Sequence, residues 1–274
     1  MKRAFLFSAL CCLLFHIAGC GDSASPIARV EWPVMGTIAA IQGRGDDGVA
    51  SEAFARVGAA FDDVVKEFNA FDPASHLNKI APLSDAEIIN VTGDECYSAA
   101  FKLMELSGRA FNPRWKGPST LDMGAIAKGY AVDLAASKLE SDDELLIDLG
   151  GNLKAVKGDW KTGVRDPASD GCAATLTLHE GEALATSATY YRGNHIYDGR
   201  TGAIVSNEVA SVTVLANSAM WADGLSTTLF ILGPKEGRMF LQRHLRSLYG
   251  AGGTFAVLWI LKDGTRLTYG DARF

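Results

Sequence analysis

The stretch Asp122-Met123-Gly124-Ala125-Ile126-Ala127-Lys128-Gly129-Tyr130-Ala131-Val132-Asp133 constrains this chain more than any other. Its run of Gly and Ala predicts a helix that opens at Gly124 or Ala125, runs to Leu139 and stops at the Ser-Asp-Asp break that follows. Gly124 and Gly129 carry no Cβ, so another chain segment or a ligand can come within backbone reach of this helix. A small-residue helix packed on a sheet accounts for most of the pattern, and Lys128 near the positive helix end adds a place for an anion.

The periodicities around this segment are mixed. Residues 27–42 read as extended chain broken at Pro33 and Gly36, while residues 49–68 place Phe54, Val57, Phe61, Val64, Val65 and Phe68 at helical spacing. A second helix is expected over residues 95–106. Strands follow over residues 144–149, 153–156, 175–178 and 210–215, then helix over 218–232 and 235–244. Residues 254–261 and 266–269 predict a hairpin around Asp263-Gly264. Strands and helices in mixed order, without regular βα alternation, predict an α+β fold.

Lys2 and Arg3 precede an apolar run over residues 4–18 that ends in Ile17-Ala18-Gly19-Cys20. This resembles a bacterial lipoprotein signal peptide, because the run is short for a membrane span and small residues before a Cys suit cleavage and lipidation. The expectation is a signal peptide over residues 1–19, a lipid anchor on Cys20, and one compact body over residues 20–274 facing the periplasm or cell exterior. An uncleaved anchor helix would leave the body on the same side. The formal charge is -6, becoming -8 once Lys2 and Arg3 leave, and no basic stretch exceeds two residues, which argues against a nucleic-acid partner. Cys96 and Cys172 remain in the body, either as one disulfide or as two buried thiols. His76, His179, His195 and His244 lack the spacing of a zinc site.

Gly43-Arg44-Gly45-Asp46-Asp47-Gly48 matches the G-x-G-x-x-G dinucleotide pattern and lies between an expected strand and an expected helix. Asp46 and Asp47 would repel a pyrophosphate and already complement the helix N-terminus, so the segment reads as a surface turn. Asp223 and Thr227 are four residues apart on an expected helix, which puts a carboxylate and a hydroxyl on one face. A hard cation such as Mg2+ takes oxygen donors of that kind and completes its shell with waters or substrate phosphates. A surface Asp beside a helix-interior Thr explains the same spacing.

The 122–133 stretch resembles the D-x-G-A-I-A-K-G-Y-A-V-D segment of the ApbE family, the FAD:protein FMN transferases, which are often exported lipoproteins. Further matches follow in order. Met35-Gly36-Thr37 is similar to an N-terminal M-G-T, and Phe68-Asn69-Ala70-Phe71-Asp72 with Ser75 and Asn78 resembles the family's F-N-x-Y-x-x-x-S-x-L-x-x-I-N region. Asp148-Leu149-Gly150-Gly151-Asn152 resembles the family's glycine-paired strand turn. Ala185-Thr186-Ser187 and His195-Ile196 with Asp198, Thr201 and Gly202 resemble its S-G-x-Y and H-I-x-D-P-x-T-G runs. Ala222-Asp223-Gly224-Leu225-Ser226-Thr227 is similar to its A-D-A-L-x-T.

The resemblance implies FAD as substrate and Mg2+ held by the Ala125 carbonyl, Asp223 and Thr227. It places Met35, Phe71, Phe111, Asn112 and Ile196 around the flavin and Asp122 on a polar part of FAD. Lys128 and His195 are the implied catalytic or phosphate-binding residues. The implied reaction is attack by a Thr or Ser hydroxyl of an exported acceptor protein on the FMN phosphorus, with AMP leaving. Water in place of the hydroxyl would make the chain an FAD pyrophosphatase; without chemistry it would be a flavin-binding lipoprotein. The chain departs from the family pattern at several points. Phe71 stands for Tyr, Asn112 for Asp, Ala188 for Gly and Gly199 for Pro, and the stretch from residue 111 to Asp122 is short. Ala188 would strain its loop if the Gly needs a positive φ, and Gly199 is expected to loosen its turn.

Overall fold

A computed structural model describes residues 27–44, 47–140, 144–189, 195–249 and 252–274. The expected signal segment, Cys20, and Gly45 and Asp46 of the glycine-rich loop lie outside the described residues.

The chain begins with a hairpin, β1 (Ile27–Val34) and β2 (Thr37–Arg44), turned through Met35 and Gly36. Both turn residues have positive φ, 50° and 66°, as a type I′ turn requires. Helix α1 (Asp47–Phe68) buries Val57, Phe61, Val64 and Phe68 of the predicted stripe together with Ala53 and Ala60, while Phe54 and Val65 stay half-buried. Two short helices follow, α2 (His76–Ile80), capped by Ser75, and α3 (Asp85–Thr92), opened by a Ser84/Glu87 capping box and closed by Gly93 in the left-handed region. Helix α4 (Glu95–Leu106) starts at the Asp94 cap and matches its predicted span, whereas the small-residue helix α5 (Ala127–Ala136) is shorter at both ends than predicted, with Gly124 and Ala125 in the turn before it.

The second half is mainly strand: β3 (Leu145–Leu149), β4 (Asn152–Ala155), β5 (Trp160–Arg165), β6 (Cys172–Leu178), β7 (Ala183–Ala188), β8 (Tyr197–Asp198), β9 (Ala203–Ile204) and β10 (Val209–Ala216). Helix α6 (Ala219–Tyr249) is interrupted where Gly233 leaves helical geometry before Pro234, the break expected between the two predicted helices. A hairpin of β11 (Ala256–Leu261) and β12 (Arg266–Gly270) ends the chain.

Among the described residues an eight-stranded sheet runs in the order β1-β2-β3-β4-β7-β10-β11-β12, with every neighbouring pair antiparallel. Strands and helices pack as an α+β body. One face, with Ile41, Ile147, Leu149, Ala185, Val212, Val214, Val257 and Trp259, joins the core formed with α1, α4, α5 and α6. The other face, with Leu146, Leu184, Leu215, Leu258 and Ile260, is covered by Trp160, Val164, Leu176 and Leu178 of the β5–β6 hairpin. Burial on both faces explains the continuous apolar runs Leu145-Leu146-Ile147 and Ala256-Val257-Leu258-Trp259-Ile260. Cys96 and Cys172 are both free thiols, the first buried and the second exposed, so the disulfide alternative falls, and with it the expectation that both thiols are buried. Among the described residues no helix is long and apolar enough to cross a membrane.

Candidate active site

The closest approach to the small-residue helix comes from another helix and not from the sheet. At Gly129 an added Cβ would lie 2.1 Å from the Ala219 carbonyl oxygen and 2.8 Å from the Asp223 Cβ, so α5 and the first turns of α6 cross with their backbones in close approach. Asp133, at the far end of the motif, fixes this crossing. Its Oδ2 accepts from the Met220 N–H (2.9 Å) and the Ser218 hydroxyl (2.7 Å), and its Oδ1 from Lys154 Nζ (2.9 Å). A carboxylate at the α6 N-terminus also complements the helix dipole.

One turn further along α6, Asp223 is 4% exposed. Its Oδ2 accepts from the Gly129 N–H (3.0 Å), and Lys128 Nζ lies 3.2 and 3.3 Å from the two carboxylate oxygens. Lys128 also donates to the Gly124 carbonyl at 3.2 Å. Thr227, on the same face of α6, shares a hydroxyl contact of 3.0 Å with Ser187 of β7, whose Oγ also meets Ser226 Oγ at 2.8 Å. Small residues along β7 let α6 come this close to the sheet.

Asp122 closes the other side. Its Oδ1 accepts from the Gly124 N–H (3.1 Å) and its Oδ2 from Lys116 Nζ (2.9 Å) and Trp115 Nε1 (3.3 Å). Burial pushes its carboxyl up, but the bonds from Lys116, Gly124 and Trp115 outweigh that and hold it below its ordinary value. These bonds therefore contribute fully at neutral pH and are lost only as the pH falls through the lowered value. The Trp115 indole N–H resonance is expected to stay fixed from pH 7 down to about 4, the ordinary carboxylate range, and to move only in more acid solution. Asp122→Ala removes that acid transition.

The cleft enclosed by these elements has a volume of about 1570 Å³, larger than the roughly 300–1,000 Å³ of ordinary small-molecule pockets. Phe71, Phe111, Asn112, Asp122, Ala125, Lys128, His195, Ile196, Asp223 and Thr227 all line it. Residues scattered over more than 150 positions of sequence thus converge. Phe71 is 96% exposed at the cleft, whereas Phe111 and Ile196 are buried. Met35 sits in the β1–β2 turn between the cleft residues Val34 and Gly36, and its side chain packs against the core. Ala125, Asp223 and Thr227 offer a carbonyl, a carboxylate and a hydroxyl, hard oxygen donors that fit a cation such as Mg2+ sharing its shell with substrate phosphates.

Two sequence expectations fail here. Gly199 does not loosen its turn. Its N–H donates to the Ala110 carbonyl (2.9 Å), its own carbonyl accepts from Asn112 Nδ2 (3.2 Å), and an added Cβ would lie 2.2 Å from the Asn112 Cβ. A Pro could neither donate nor fit, and an Asp at position 112 could not donate, so the two departures from the family pattern match each other. Asn112 Oδ1 is likewise engaged, by the Arg114 N–H at 2.9 Å. Gly199→Pro is expected to lower stability by about 2 kcal/mol or more, read by thermal unfolding. Ala188 also brings no strain: it lies in β7, paired with Ser211, and only Met35 and Arg109 among the described non-glycine residues have positive φ.

Sequence reasoning missed the supports of the shortened 111–122 stretch. Trp115 stacks on Tyr197 with ring centroids 3.9 Å apart. Buried Arg114 donates to Asp85 (2.7 Å) and to the carbonyls of Ala81 (2.8 Å), Leu83 (2.7 Å) and Pro118. No spacing rule signals such contacts; they arise only when distant segments meet.

Residues 114–249 match the ApbE family. Over these residues the chain belongs to the ApbE family. It is 38% identical over 129 residues to an FAD:protein FMN transferase of Klebsiella pneumoniae, covering 43% of this chain and 40% of that protein. A Vibrio cholerae protein of the same name is 35% identical over 133 residues, 43% of this chain and 40% of that one. The matched stretch thus spans about two fifths of these relatives. Among solved structures, the flavin transferase ApbE of Vibrio cholerae superposes with a TM-score of 0.70 at 21% identity, covering 90% of this chain and 98% of that one. The flavinyl transferase ApbE of Pseudomonas stutzeri gives 0.71 at 20%, covering 92% and 97%. The fold is therefore that of ApbE structures. The family match begins at Arg114 and takes in Asp122, Lys128, Asp223 and Thr227, whereas Phe71 lies outside it.

Proposed function

We propose that this chain is an FAD:protein FMN transferase that moves FMN from FAD to a Thr or Ser hydroxyl of an exported acceptor protein and releases AMP. The observation that carries this reading is the pairing of Lys128 with Asp223 in one cleft with Ala125 and Thr227. Asp223, Thr227 and the Ala125 carbonyl would hold Mg2+, which when bound would supply charge withdrawal from the pyrophosphate. Lys128 lies within reach of Asp223 and of any phosphate beside it, and adds a fixed positive charge. The Gly129 N–H keeps one Asp223 oxygen oriented. Phe71 offers an exposed ring face to the isoalloxazine, and Asp122 anchors the loop that borders the site.

His195 is assigned the acceptor proton: the hydroxyl oxygen bonds to the FMN phosphorus, its proton passes to the imidazole, and the bond to the AMP phosphate breaks. The size of the cleft suits a dinucleotide together with an acceptor segment. The same reading includes the lipid anchor at Cys20 and a body facing the periplasm or cell exterior, where exported acceptors are met.

The test is incubation of the full chain with FAD and Mg2+, with and without a candidate acceptor, reading AMP and covalent flavin fluorescence together. AMP with a fluorescent acceptor supports transfer. AMP without covalent flavin in either tube points to hydrolysis, and bound flavin without AMP to a binding protein.

A further inference from the structure

Phe71 is 96% exposed, an unusual position for a phenyl ring, yet its loop is tightly tied. Asn78 Nδ2 faces three backbone carbonyls of that loop: Asp72 at 2.8 Å, Ala70 at 3.2 Å and Asn69 at 3.4 Å. The Asn69 side chain accepts from the Phe71 N–H (3.0 Å), and the Asp72 side chain from the Ala74 N–H (2.8 Å). Asn78 is itself fixed: its N–H donates to the Ser75 cap at 3.2 Å, and its neighbours Leu77 and Ile80 in α2 are buried in the core. Asn78 thus ties the loop to α2, alongside the Ser75 N–H, which donates to the Asp72 carbonyl (2.9 Å), and Ala70, which packs against the core.

We infer that Asn78 is a positioning residue for flavin binding, holding the backbone of residues 69–72 so that the Phe71 ring meets the isoalloxazine without first being ordered. This rests on the reading of Phe71 as the flavin-stacking face. An amide suits the task because it brings two hydrogens and no charge to three carbonyl oxygens. A carboxylate there would turn attraction into repulsion. Preorganisation of this kind raises affinity by removing the ordering cost at binding, and leaves the chemical step untouched.

The experiment is a double-mutant cycle on FAD affinity in the full chain, with wild type, Phe71→Ala, Asn78→Ala and the double variant, each checked for folding by thermal unfolding. Asn78→Ala is expected to weaken FAD binding about three- to tenfold, from the cost of ordering a freed side chain and loop, with kcat at saturating FAD unchanged. Asn78→Asp is expected to weaken it at least as much. In the Phe71→Ala background the Asn78→Ala change should have no further effect, since the ring it positions is gone. If the alanine variant does not fold, Asn78→Ser, which can still serve one carbonyl, takes its place. An Asn78→Ala penalty that persists undiminished without the Phe71 ring, a fall in kcat instead of a rise in KM, or no penalty at all overturns the proposal. An unchanged affinity in Phe71→Ala alone overturns the flavin-stacking reading itself, a separate failure.

Discussion

Asp223→Asn is expected to reduce AMP release from FAD by about a hundred- to a thousandfold or more, the loss typical of removing one group that stabilises transition-state charge. The fold should survive, because the Asn carbonyl can still accept from the Gly129 N–H that now meets Oδ2. Asp223→Ala is the harsher change. Both variants remove the counter-charge of Lys128, 17% exposed, but Asp223→Ala also strands the Gly129 N–H and leaves the ammonium no side-chain acceptor at that position, which costs about 3 kcal/mol. Steady-state AMP assays and thermal unfolding on the two variants separate the roles. Equal activity losses with unequal melting temperatures are the expected pattern, and wild-type activity in Asp223→Asn would remove the carboxylate from the mechanism.

Gly129→Ala carries the second large effect, and acts through packing. Its new methyl group would sit 2.1 Å from the Ala219 carbonyl oxygen and 2.6 Å from the carbonyl carbon, both backbone atoms that cannot swing aside. Helices α5 and α6 must separate, at a cost of about 3 kcal/mol or more. The same shift draws the Gly129 N–H and Lys128 away from Asp223, so activity is expected to fall even in the fraction that folds. Denaturant unfolding with AMP release at matched folded fraction reads both. A stable, active variant would show that the helix crossing is looser than its contacts indicate.

These two residues also show what the sequence makes legible. Asp122, Lys128, Gly129, Asp133, Asp223 and Thr227 are all visible as motif members, yet their partners are not. That Lys128 meets Asp223 across 95 positions, or that Asp133 caps α6, follows only from the helix crossing. Long periodic elements such as α1, α4 and α6 stand out because their apolar stripes repeat over many turns. The central strand β7, Ala-Leu-Ala-Thr-Ser-Ala, escapes notice because its small residues, needed for α6 to approach, carry little strand character. Helices α2 and α3 are too short for periodicity, although Ser84 and Glu87 offer a readable capping box. Gly199 misleads for a different reason: judged as a turn residue it predicts slack, whereas its conformation is set by Ala110 and Asn112, nearly ninety positions away. Local rules describe a residue's freedom, and tertiary contacts decide how much of it is used.

One cleft brings Asp223, Thr227 and Ala125 together with Lys128, and the proposed function requires the pyrophosphate of FAD to sit among them. The most direct measurement is a crystal structure of the full chain with FAD and Mn2+, whose anomalous signal marks the cation. The expected result is a peak between Asp223, Thr227 and the Ala125 carbonyl, the pyrophosphate beside it and Lys128, and the isoalloxazine on Phe71. A cation bound elsewhere, or FAD seated away from Asp223 with the Lys128–Asp223 pair intact beside an empty cleft, would contradict it.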